Sequence, residues 1–120
     1  MLSWPLSVRV FVYTGPTDMR RSFDRLAQMV QEFLHENPFS GHLFVFVNRR
    51  GDRMKVLFWD RSGFCLFYKR LEEGVFHLPA CSGMSIEIDV PRLTLILEGL
   101  DISKARREKR YDKIPDPRLF

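Results

Sequence analysis

The sequence predicts an α+β fold: an antiparallel β-meander packed by one long N-terminal helix, plus a short C-terminal helix. Three observations predict it. An apolar stripe at helical spacing runs through "TDMRRSFDRLAQMVQEFLHENP". Three apolar runs follow it, separated by short connectors that contain Gly. A segment bracketed by Pro and Gly, "PRLTLILEG", comes later.

Taken in order, "VRVFVY" (residues 8–13) is rich in Val and aromatics and reads as a strand, punctuated by "TGPT". A helix is expected over 18–35. Thr17 or Asp18 can cap it by accepting a backbone N–H that has no partner inside the helix. Met19, Phe23, Leu26, Val30, Phe33 and Leu34 recur at steps of three and four, and Asn37 and Pro38 end the run. "LFVFVN" (43–48), "MKVLFWD" (54–60) and "FCLFYKRL" (64–71) read as three strands joined by hairpin turns at "RRGDR" and "RSG". In the middle strand Met54, Val56 and Phe58 point one way, and Lys55, Leu57 and Trp59 the other. Both sheet faces are therefore partly apolar. The helix can take one; the other must meet the first strand, the C-terminal part or a partner subunit. "VFHLP" reads as a short strand and "IEIDV" (86–90) as another. In "PRLTLILEG", Pro91 suits a first helical turn and Gly99 a C-terminal end. Residues 1–100 make one globular domain on this reading, and 101–120 a basic tail.

A chain of 120 residues that is 45% hydrophobic, with eleven Phe, has enough apolar mass for one core, which excludes global disorder. The net charge is +4 and the pI about 9.4, a basic balance that suits an anionic partner. Residues 101–120 hold seven Lys/Arg against four Asp/Glu, so most of the surplus lies in the tail. Cys65 and Cys81 form no CxxC and read as reduced thiols of a cytoplasmic protein. The N-terminus has no basic segment before an apolar one, so no signal peptide is expected. No apolar run approaches the roughly 20 residues of a membrane span.

Motifs for metal, cofactor or nucleophilic chemistry are missing. His35, His42 and His77 are scattered away from the cysteines, and neither GxSxG nor GK[ST] occurs. Neither a cofactor nor a metal is expected. Asp18, Asp52 and Asp60, with Lys55, could form a metal-dependent nuclease, where an ion stabilises charge on the phosphate. Each also has a structural role as cap, turn residue or turn neighbour, so the nuclease is kept as an alternative.

The basic features point elsewhere. Arg49, Arg50, Arg53 and Lys55 cluster at a hairpin tip, where guanidinium forks can clamp phosphates or read a groove. The competing reading is a solvated turn. Arg20 and Arg21, and Arg106, Arg107, Lys109 and Arg110 of the tail, could extend the surface. Trp59, Phe67 and Tyr68 are candidate anchors for a protein partner.

Three stretches, "TDMRRSFDRL", "PFSGHLFVFVNRRGDRMKVLFWDRSGFCLFYKRLEEGVF" and "LEGLD", closely resemble the small accessory protein of the bacterial insertion-sequence sixty-six family. This is the product of the second open reading frame, TnpB, distinct from the RNA-guided nuclease of that name. The match runs in order from about Val8 to Asp101. Thr17, Asp18, Met19, Arg20, Phe23 and Asp24 carry the first block. Pro38, Phe39, Ser40, Gly41, Arg49, Arg50, Asp52, Lys55, Trp59, Asp60, Lys69, Arg70 and Leu71 carry the second. The chain departs at Ser22 and Arg61, where the family commonly has Gly, and at Leu78, where it has Trp. The resemblance implies an accessory role in transposition beside a DDE-type transposase. It brings no established catalytic residue. The clustered arginines, with no competing catalytic set, lead to the reading of a non-catalytic factor that binds element-end DNA and the transposase. A purely protein–protein module of the transposition complex is the first alternative, and a homo-oligomer is possible.

Overall fold

The computed structural model describes residues 4–101. Five strands, β1 (Val10–Pro16), β2 (Leu43–Val47), β3 (Arg53–Trp59), β4 (Phe64–Arg70) and β5 (Ser85–Ile88), form one sheet in the order β4-β3-β2-β1-β5. The helices are α1 (Phe23–Met29), which runs on into a π-helical turn (Val30–Leu34), and α2 (Val90–Leu97). The α+β class and the β2-β3-β4 meander agree with the sequence reading. The purely antiparallel sheet does not: β1 pairs parallel to β2, while β5 pairs antiparallel to β1. The physical reason is the connection. Residues 17–42 cross over through α1 before β2, and a helical crossover brings the chain back in the same direction.

The long 18–35 helix is also corrected. Helix begins only at Phe23, because the carbonyls just before it are used otherwise. Lys55 Nζ donates to Met19 O and to Arg21 O, both at 2.7 Å. Asp18 Oδ1 accepts from the Arg20 amide at 2.8 Å, which closes a local turn. The N-cap is Ser22, with no side-chain cap bond, rather than Thr17 or Asp18. The stripe keeps its inner members: Leu26, Met29, Val30 and Leu34 are buried, whereas Phe23 is 43% exposed. The wider turn after Met29 ends at His35, whose backbone is left-handed at φ 54.

β3 alternates as expected, and each face has its own cover. Phe44, Phe46, Leu57 and Phe11 pack beneath α1 and its π-turn. Val10, Val12, Val45, Met54 and Val56 pack with Leu93, Ile96 and Leu97 of α2, and with Phe76. Phe44 and Phe46 are fully buried, worth about 2 kcal/mol each over exposure. Two helices sandwich the sheet, and of the covers expected for the second face it is the C-terminal part, α2, that fills it.

α2 begins as the sequence predicts. Asp89 caps it by accepting from the Arg92 amide at 2.9 Å, and Pro91 sits in its first turn. Lys69 Nζ donates to Leu97 O at 2.7 Å near its other end, where Gly99 adopts φ +81. Residues 75–79 are irregular rather than a strand; the Phe76 amide donates to Gly51 O at 2.8 Å and the ring is buried. Among the described residues, no helix is long and apolar enough to cross a membrane.

Candidate nucleic-acid interface

The β2–β3 tip is built from its own polar side chains. The Asn48 amide donates to Arg53 O and Asn48 O accepts from the Gly51 amide, both at 3.0 Å. Gly51 adopts φ +79, which its missing Cβ permits. Asn48 Oδ1 also accepts from the Arg53 amide at 3.0 Å, and its Nδ2 donates to Asp52 Oδ1 at 2.8 Å. That hydrogen bond, with Arg50 and Arg53 nearby, lowers the pKa of Asp52. From behind, Leu71 and Phe76 amides donate to Asp52 O and Gly51 O. A tip fixed at so many points presents Arg49 and Arg50 outward. Both are exposed, and neither makes a hydrogen bond or ion pair to a described residue.

Opposite the tip lies the Thr17–Ser22 turn. β1 and β2 are parallel, so both end at the same side of the sheet, and the Thr17 amide donates to Val47 O at 2.8 Å. The two segments enclose a cleft of about 560 Å³. Arg21, Arg49, Arg50 and Arg53 line it, with Asp18 and Asp52 as the opposing charges, which leaves a surplus of two positive charges. Asp18 is held by Arg20, whose Nη2 lies 2.7 Å from Oδ2, and this contact with the Arg20 amide bond lowers the Asp18 pKa to about 2. The stability this contributes is present above the ordinary carboxylate range and is lost as pH falls toward about 2.

Thr17 lies on the cleft wall, 3% exposed, and its hydroxyl has no hydrogen-bond partner. A buried unpaired hydroxyl costs about 1–3 kcal/mol. The hydroxyl therefore does not do the capping work read for it in the sequence.

The remaining site expectations divide. Lys55 does not join the exposed cations. It is 6% exposed, held by the Met19 and Arg21 carbonyls, with the Tyr68 ring 4.9 Å from Nζ. The cause is strand alternation, which turns it onto the α1 face beside Leu57. Arg53 leans across the neighbouring strand, Nη1 donating to Tyr68 Oη at 3.2 Å. Arg21 Nη1 lies 3.4 Å from Met29 Sδ. Arg20 is spent on Asp18. Arg106, Arg107, Lys109 and Arg110 lie outside the described residues.

Trp59, Phe67 and Tyr68 do not form one patch. Phe67 packs on the α2 side of the sheet, edge-on to Trp4 at 6.2 Å, while Tyr68 covers Lys55. Trp59 instead stacks edge-on with Phe39 and Phe64, each at 5.1 Å, and Phe39 is 54% exposed. The three carboxylates of the nuclease alternative are divided as well. Asp18 and Asp52 line the cleft, whereas Asp60 lies past the far end of β3. Among the described residues no group of three or more His, Cys, Asp or Glu could hold a metal ion.

Sequence reasoning missed Asn48 as the bracket of the tip and Phe39 as an exposed aromatic. Asn directly before "RRGD" was the available signal for the first, and Phe between Pro38 and Ser40, in a loop, for the second.

The family model described as IS66 Orf2-like protein matches residues 8–107. The chain is 46% identical over 114 residues to the uncharacterized protein y4hO of Sinorhizobium fredii (strain NBRC 101917 / NGR234), covering 95% of this chain and 99% of the relative. It is 34% identical over 109 residues to the uncharacterized protein y4jC of the same organism, covering 89% and 93%. No solved structure matches significantly. Both blocks of resemblance meet at the cleft just described, and the match over most of its length places the chain in the family of IS66 Orf2-like proteins.

Proposed function

We propose that this protein is a non-catalytic accessory factor in the transposition of a bacterial insertion sequence, working in the cytoplasm by binding element-end DNA and the element's transposase. The observation that carries the DNA contact is the pair Arg49 and Arg50, exposed on a rigid tip and without a described partner, beside a cleft of net positive lining. Guanidiniums held at fixed positions lose little freedom when they meet phosphate, and their forks match its oxygens. The family supports the transposition setting.

Fluorescence anisotropy on duplex from the element ends tests this reading. Binding falls as salt rises, by about one unit of log–log slope for each phosphate neutralised. The variant Arg49→Ala/Arg50→Ala/Arg53→Ala flattens that slope by about two to three units. Equal slopes and affinities for the variant and the wild type remove the tip from the interface.

One observation favours a protein contact at a separate place. Phe39, Trp59 and Phe64 form an aromatic cluster with Phe39 half in solvent, the kind of rigid anchor that interfaces use. Co-purification with the transposase, lost on Phe39→Ala and retained in the arginine variant, assigns this end to the protein partner.

A further inference from the structure

Charge alone attracts any polyanion. Beside the cationic cleft stands an aromatic ring that charge does not explain. Tyr68 lies in β4 and is 46% exposed. Lys55 is its direct partner in β3, and the Lys55 ammonium sits over one face of the ring, 4.9 Å from its centre. β4 is an outer strand of the sheet, so no strand flanks Tyr68 on the side away from Lys55. Phe64 and Phe67 of the same strand have ring neighbours in Trp59 and Trp4, whereas Tyr68 has none among the described residues. Its hydroxyl is tied to the cleft: Arg53 Nη1 donates to Oη at 3.2 Å, and Arg53 lines the cleft with Arg49 and Arg50. We propose that Tyr68 is a stacking platform for an unpaired base of a nucleic-acid strand whose phosphates are held by Arg49 and Arg50. This rests on the nucleic-acid reading above and narrows it from any polyanion to a strand with an unpaired base.

An aromatic face beside a cationic track suits a single strand, because every base has a flat π face and every linkage a negative charge. Inside a duplex the bases stack on one another and offer no such face. The ring is already ordered, on one face by Lys55 and at its tip by Arg53, so stacking costs it little freedom. The ammonium beneath it is answered by the Met19 and Arg21 carbonyls and needs no further partner. The surroundings also separate this ring from a protein anchor. Such anchors sit within well-packed, desolvated apolar pockets, whereas the side chains in contact with this ring include Arg53 and Lys55.

The experiment compares an oligothymidine with an abasic strand of the same length and charge, by anisotropy on the full chain. The wild type binds the oligothymidine about tenfold more tightly, the worth of one stacked base. This first comparison needs no variant. Tyr68→Leu, which still covers Lys55 with an apolar side chain, loses the preference, and Tyr68→Phe keeps it. The salt slope of Tyr68→Leu matches that of the wild type, since no phosphate contact is removed. Equal binding of the two strands by the wild type, or a preference that survives in Tyr68→Leu, overturns the proposal; duplex binding through the arginines then still stands. Loss of transposase co-purification in Tyr68→Leu with the base preference intact also overturns it and makes the ring a protein anchor. No binding of any strand or duplex by the folded protein overturns both readings.

Discussion

Lys55 shows what a single residue contributes here. An ammonium group that is 6% exposed is costly unless its donors are met. Two carbonyl oxygens at 2.7 Å and the face of Tyr68 meet them. The side chain therefore ties the Thr17–Ser22 turn to β3 and sets the spacing of the cleft walls. Lys55→Met keeps the stem and removes the donors. It lowers unfolding stability by about 2 kcal/mol in urea titration, and a loss near zero would show that the turn is held by something else. Arg61 is the opposite case. Its φ of 89 lies where side chains are strained, in the β3–β4 turn. Arg61→Gly raises stability by about 1 kcal/mol by the same titration; a decrease would mean that the arginine side chain makes a contact worth more than its strain. Arg61 is one of the positions where the chain departs from the family's common Gly, and the left-handed backbone gives that Gly a physical reason. Strand alternation already set Lys55 on one face with Leu57 and Trp59, but its burial was not expected, because a lysine among arginines reads as one more exposed cation.

The elements differ in how legible they were. β2, β3 and β4 were plain, since apolar runs joined by short Gly-containing turns leave few alternatives. α2 was plain for a chemical reason: Pro91 and Gly99 each suit one position of a helix and few others, whereas Asp89, read as part of the preceding strand, proves to be the cap. Asp89→Ala removes the bond to the Arg92 amide and costs about 1 kcal/mol by thermal or urea unfolding; no loss would place the helix start under the control of packing alone. α1 was misplaced at its beginning. Its first expected turn spends its carbonyls on Lys55, a partner more than thirty residues away, and local pattern carries no sign of that. The parallel pairing of β1 was readable in the strand–helix–strand order, but was masked by the meander that follows.

Across the whole molecule the two ends of β3 part company. Arg53 begins the strand at the cationic cleft, and Trp59 ends it in the aromatic cluster. Seven residues at about 3.3 Å each set these ends roughly 20 Å apart, so a nucleic acid and a protein can be engaged together without competing for surface. The fold could be read in most of its parts; the cleft could not, because its walls come from two distant blocks brought together by long-range pairing. Had β1 run antiparallel to β2, as the meander suggested, Pro16 would leave the sheet beside Leu43 instead of Val47. Thr17 would then sit far from the arginines. It follows that a synthetic peptide spanning only residues 44–60 would reproduce the charge but not the recess, and grafting that hairpin onto another scaffold would transfer attraction without discrimination.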